Sequence, residues 1–171
     1  MLHKRVFNTA KTRKLEWISG SQHRTLGHMA RGRVLMLGLE THSGEAFGCV
    51  NVHQTGSGNS ARRDIIWENL SRKIRESNLQ RIIISGDMNA TNPGGRDGYS
   101  QNPVTTRQRQ AADSALLDFA KNTGGILVSP PVPTWRRGDG TQSASLDHVV
   151  LINFQNSKAT TVAEALGCYG G

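Results

Sequence analysis

Ile82-Ile83-Ile84, followed at once by Ser85-Gly86-Asp87, constrains this chain more than any other stretch. β-branched side chains suit an extended backbone and crowd a helix. A continuous apolar run, as opposed to an alternating one, suits a central strand buried on both faces. The expectation is therefore a sheet-centred domain, with this strand inside it and its polar end at Gly86-Asp87.

The rest of the chain supplies neighbours for that strand. Arg33 to Glu40 and Ala46 to His53 read as two strands joined by the turn chemistry of Thr41-His42-Ser43-Gly44-Glu45, a hairpin. Leu15 to Ile18 reads as a short strand. After the Gly/Ser/Asn loop 54–60, with Ser60 as the expected cap, Ile65, Ile66, Asn69, Leu70, Lys73 and Ile74 recur at helical spacing. Arg62, Arg63, Glu68, Arg72 and Glu76 are assigned to the opposite face. Residues 91–107 read as a long surface loop. Gln108 to Asn122 reads as an amphipathic helix stopped by Gly124-Gly125. Ile126-Leu127-Val128, the extended stretch at Thr134-Trp135 and Leu146 to Asn153 complete a mixed α and β layout with both hairpins and helical crossovers.

Composition narrows the partners. The 171 residues fit one domain, and 21 Lys+Arg against 13 Asp+Glu leave a net charge of +8. A balance this basic favours polyanions. No apolar run approaches the ~18 residues of a membrane span, so no membrane partner is expected. The N-terminal stretch lacks the pattern of a secretory signal. The 2 cysteines, Cys49 and Cys168, make no disulfide framework and are expected to be reduced. No zinc-ligand spacing or Gly-rich phosphate turn follows a strand.

Polar residues stand where the hydrophobic pattern of the strands breaks. His53 ends one strand, and imidazole is the side chain that exchanges protons near neutral pH. Asp87 and Asn89 follow the isoleucine run. In an extended segment they would share a face, a carboxylate to orient water or metal beside an amide to contact a phosphoryl oxygen. The alternative is that they simply form an Asx turn. Asp147 interrupts the buried run Leu146 to Leu151, so it sits either at the rim of a site or beside an arginine. His148 points the other way from Asp147 and reads as structural.

In chain order, Val50-Asn51-Val52-His53, Ile66-Trp67 with Leu70, Ile82-Ile83-Ile84-Ser85-Gly86-Asp87-Met88-Asn89-Ala90, Thr134-Trp135 and Ser145-Leu146-Asp147-His148-Val149-Val150-Leu151 resemble the endonuclease/exonuclease/phosphatase superfamily. The resemblance is greatest to the endonuclease domain of LINE-type (non-LTR) retrotransposons. It implies a deoxyribonuclease-I-like α/β (α+β) fold, an incomplete four-layer β-sandwich of two mixed sheets flanked by helices. The activity implied is Mg²⁺- or Mn²⁺-assisted hydrolysis of DNA phosphodiesters. By the same resemblance Asp87 orients or deprotonates water and contributes to the metal site. Asn89 contacts phosphate, His53 supports the phosphate or leaving group, and Asp147 lies on the leaving-group side. Trp135 lines the nucleic-acid groove; with Arg136, Arg137, Arg62 and Arg63 it is expected to bind DNA.

The family's metal-ligating Glu motif has no counterpart upstream of Asn51, and its closing Ser-Asp-His none before Gly171. The chain is accordingly expected to be truncated at both ends and weak or inactive alone. Residues 1–30 are read as a basic N-terminal segment, 31–154 as the partial domain and 155–171 as the segment before the missing motif. The implied partners are DNA, the missing parts of the same domain or a fused reverse transcriptase, in an intracellular (nuclear, if retrotransposon-derived) setting. Two other readings stand beside this one: a non-catalytic nucleic-acid-binding module, and a phosphomonoesterase or lipid-phosphate hydrolase of the same fold.

Overall fold

The computed structural model describes residues 13–17, 33–40, 43–56, 58–92, 96–97 and 103–154. Apart from Arg13–Trp17, the expected flanking segments 1–30 and 155–171 lie outside the described residues. The elements are β1 (Arg13–Trp17), β2 (Val34–Glu40), β3 (Ala46–His53), α1 (Ser60–Glu76), β4 (Arg81–Asp87), β5 (Arg96–Asp97), α2 (Pro103–Asn122), β6 (Gly125–Val128), β7 (Trp135–Arg136), β8 (Ser143–Ala144) and β9 (Asp147–Ile152).

Among the described residues these form a six-stranded sheet of order β1-β2-β3-β4-β9-β6 and a three-stranded sheet of order β5-β8-β7. The fold is mixed α/β with flanking helices, as expected. β2 and β3 make the antiparallel hairpin, while β3 and β4 run parallel, with α1 as their crossover. β9 lies antiparallel between β4 and β6. The second sheet is smaller than the family resemblance implies, antiparallel and built of two-residue strands.

The isoleucine run does occupy a central strand, but its two faces differ. Ile82 and Ile84 are buried beneath the helices with Val34, Met36, Val50, Val52, Val150 and Ile152. Ile83 faces the other side with Leu35, Leu37, Cys49, Val149 and Leu151, and all six are only half-buried. Half-burial of Cys49 raises its thiol pKa, which disfavours the reactive thiolate.

α1 lays Ile66, Trp67 and Leu70 onto the sheet, and α2 lays Ala112, Leu116, Phe119 and Ala120 beside them. The helices meet at Trp67 and Phe119, whose rings stack with centroids 4.4 Å apart. Each fully buried Leu or Ile contributes ~1.5–3 kcal/mol of transfer free energy, so this covered face carries most of the stability.

Three local expectations are corrected. Asn59, not Ser60, caps α1, its side-chain oxygen accepting from the Arg62 N–H at 3.2 Å. α2 begins at Pro103 instead of 108, because proline lacks the N–H that the first turn of a helix leaves unpaired. The expected loop therefore loses its last residues to α2, and Arg96–Asp97 within it form a strand; its residues 93–95 and 98–102 lie outside the described residues. Arg63 is buried, 3% exposed, instead of on the open face of α1. It stands three, four and seven residues before Ile66, Trp67 and Leu70, so it shares their stripe.

Candidate functional site

The parallel register sets His53 opposite Asp87, and the antiparallel register sets Asp87 opposite Asp147. Alternation along each strand turns all three to the face away from the helices. The result is one polar row across the ends of β3, β4 and β9. His53 and Asp147 are exposed and Asp87 is half-buried. Asp147 is therefore not a buried charge; its backbone N–H donates to Thr134 Oγ1 at 3.1 Å, as does that of Leu146 at 2.9 Å.

Arg33, which sequence reasoning did not single out, extends the row. Its carbonyl accepts from the His53 N–H at 2.8 Å, continuing the hairpin ladder by one pair. Its Nη1 lies 3.4 Å from the His53 carbonyl oxygen and 3.5 Å from that of Gln54. Counting hairpin register outward from Val34 opposite Val52 would have found it.

The segment after β4 is a turn, not an extended stretch. Asn89 has a positive φ of 48°, and its N–H donates to Asp87 Oδ1 at 2.9 Å, so the Asx-turn alternative describes the backbone. The shared-face argument for Asp87 and Asn89 fails for that reason. Asn89 reaches the end of the row by another route, its Nδ2 donating to the Gln54 carbonyl at 2.9 Å. Among the described residues its second amide proton and its side-chain oxygen have no partner.

The turn is pinned from every side. The Asp87 carbonyl accepts from Gln54 N–H, and Met88 N–H donates to the Leu146 carbonyl, both at 2.8 Å. Met88 is fully buried. Thr91 N–H donates to Asp113 Oδ1 on α2 at 2.7 Å. Gly86 enters the turn at φ 135°, and a Cβ there would stand 2.0 Å from the Val52 carbonyl oxygen. Only glycine lets β4 pass so close to β3. His148 points to the helix-covered side, as the alternation implied, and is 2% exposed.

Trp135 is 41% exposed, and Arg136 and Arg137 are exposed beside it. The Thr134 hydroxyl, accepting from Asp147 N–H, places this cluster next to the polar row. Asp139 closes the following turn: its Oδ1 accepts from Thr141 N–H and hydroxyl, and its Oδ2 lies 3.0 Å from Arg137 Nε. These hydrogen bonds from Thr141, with the Arg137 charge, hold its carboxyl below the usual carboxylate range. Arg62 is half-buried at the start of α1, and Arg63 is buried, with its Nε 3.4 Å from Asp64 Oδ1.

The resemblance implies Mg²⁺ or Mn²⁺ at Asp87. Among the described residues no three His, Cys, Asp or Glu side chains group closely enough to hold a metal ion. One Asp87 oxygen is already engaged by Asn89 N–H. The described donors therefore do not make a metal centre by themselves. What the row itself offers is a carboxylate to orient water, an imidazole to donate to phosphate or a leaving oxygen, and an amide to fix a phosphoryl oxygen.

No protein-family model and no curated protein matches the chain. Among solved structures it is similar to the human Nocturnin catalytic domain with bound sulfate anion, at 17% identity and a TM-score of 0.40, over 69% of this chain and 40% of that one. It is also similar to an endonuclease/exonuclease/phosphatase family protein from Bacteroides thetaiotaomicron, at 13% identity and a TM-score of 0.35, over 70% of this chain and 41% of that one. The chain spans about two fifths of the length of each.

Proposed function

We propose that the chain carries a phosphodiester-cleaving site of the endonuclease/exonuclease/phosphatase type, with DNA as its substrate. The supporting observation is the row His53–Asp87–Asp147, in register on adjacent strands, with Asn89 held at its end. In this reading Asp87 orients the attacking water through the oxygen not engaged by Asn89. Asn89 donates its remaining amide proton to a phosphoryl oxygen. His53 donates to the phosphate or leaving oxygen, and Asp147 stands on the leaving-group side. Trp135, Arg136 and Arg137 hold the strand beside the row, the aromatic by stacking and the cations by phosphate contact.

The test is relaxation of supercoiled plasmid in Mg²⁺ or Mn²⁺ buffer. Weak relaxation that disappears in Asp87→Ala supports the proposal. Relaxation undiminished in that variant, or none from the unaltered chain, defeats it. The exposed Trp135-Arg136-Arg137 cluster favours a second reading, retention of nucleic acid without cleavage. Salt-dependent binding with no relaxation would establish it.

A further inference from the structure

His148 takes no part in the row, yet it is the most constrained histidine among the described residues. It is paired in register with Gly86 and follows Asp147 directly. Its Nε2 lies 2.8 Å from the Ala90 carbonyl oxygen, and its Nδ1 lies 3.0 Å from Ser129 Oγ. A carbonyl only accepts, so Nε2 carries the proton and donates to Ala90. In the neutral ring Nδ1 then accepts from the Ser129 hydroxyl. Both ring nitrogens are thus engaged, and the ring can neither rotate nor flip without losing a buried hydrogen bond.

Ala90 immediately follows Asn89, whose backbone sits in the left-handed region. Asn89 has a side chain that favours this conformation, but the peptide beyond it must be held for the amide to stay aimed. The other tethers of the turn grip Asp87, Met88, Asn89 itself and Thr91; among the described residues His148 alone grips the Ala90 carbonyl. We propose that His148 is a positioning residue that fixes Asn89 through Ala90. The Asp147-His148 pair then serves both faces of β9. Asp147 joins the row on one side, and His148 holds the turn that carries Asn89 from the other. This inference rests on the functional reading above for its effect on turnover, but not for its effect on the turn.

The test uses side chains that reproduce one nitrogen at a time. In His148→Gln the amide reaches about as far as Nε2; in His148→Asn it reaches only as far as Nδ1. His148→Met fills the space with no donor. His148→Gln is expected to retain most turnover. His148→Asn and His148→Met are expected to lower kcat on the order of 10- to 100-fold with KM little changed. Equal kcat in the Gln and Asn variants would overturn the proposal.

An independent readout covers a chain that does not cleave. Backbone amide NMR should show the Asn89 and Ala90 resonances displaced in His148→Asn and His148→Met, and near their original positions in His148→Gln. The same displacement in all three variants would overturn the proposal even if cleavage is real. Should the variants fail to fold, ¹⁵N spectra of the unaltered imidazole decide: Nε2 protonated supports the bond to Ala90, and Nδ1 protonated with Nε2 bare refutes it.

Discussion

Asp87 and Asp147 stand directly opposite one another across the β4–β9 ladder, two carboxylates on one face of the sheet. Like charges directly opposite in a ladder are destabilising by ~0.2–1 kcal/mol. A fold that retains such a pair gives up stability at that position. Asp147→Asn is therefore expected to raise the unfolding midpoint slightly at low salt and less at high salt, since Asp147 is exposed and screened. The same variant should lose turnover. A lower midpoint with activity intact would show that the pair is not a functional strain.

Gly86→Ala tests the close approach of β4 to β3. The added methyl would meet the Val52 carbonyl oxygen, and alanine is strained at φ 135°. The expected loss is on the order of 3 kcal/mol or more, read from a urea melt. A loss below ~1 kcal/mol would mean that the strands separate easily there, and the register of the row would be in question.

The two classes of arginine should behave oppositely. Arg136 is exposed beside Trp135, so Arg136→Ala is expected to reduce the salt slope of nucleic-acid binding by about one. Arg63 is buried, its Nε and Nη1 make no hydrogen bond among the described residues, and Nε lies 3.4 Å from Asp64 Oδ1. An incompletely paired buried charge is costly, and an apolar replacement of similar volume is commonly neutral or stabilising. Arg63→Met should leave the salt slope unchanged and the unfolding midpoint equal or higher. A weakened slope in Arg63→Met would return Arg63 to the binding surface.

How much of this was legible in the sequence follows from how each residue is specified. Strand identity was readable because β-branched runs and polar breaks are local signals, and the ends of β3, β4 and β9 follow from them. That His53, Asp87 and Asp147 align depends on register between distant strands, which only the whole hydrophobic pattern sets. Arg63 was misplaced because charge outweighed its position on the Ile66–Trp67–Leu70 stripe. Arg33 was passed over because it lies one residue outside the apolar run, where only hairpin register reveals it. Of the small β5-β8-β7 sheet only the extended stretch at Trp135 was legible, since two-residue strands carry no periodicity.

Asp139 gives the Trp135 region its own dependence on acid. Its folded-state pKa lies below the ordinary value of 3.8. The carboxylate therefore supports the turn fully above that value, and the support fades as pH falls through the lowered folded pKa. The Thr141 amide resonance should hold its position through mild acid and move only below the ordinary carboxylate range. Asp139→Asn should abolish that late transition. A transition at or above the ordinary value would show that Thr141 does not hold the Asp139 carboxylate.

In the proposed reading His53 on β3 and Asp87 on β4 act as one unit across the ladder. This coupling is tested most directly by plasmid relaxation rates for His53→Ala, Asp87→Ala and the double variant. Residues that act as a unit give non-additive losses. The double variant is expected to be no slower than the worse single variant. Losses that multiply, as they would for two independent groups, would contradict it.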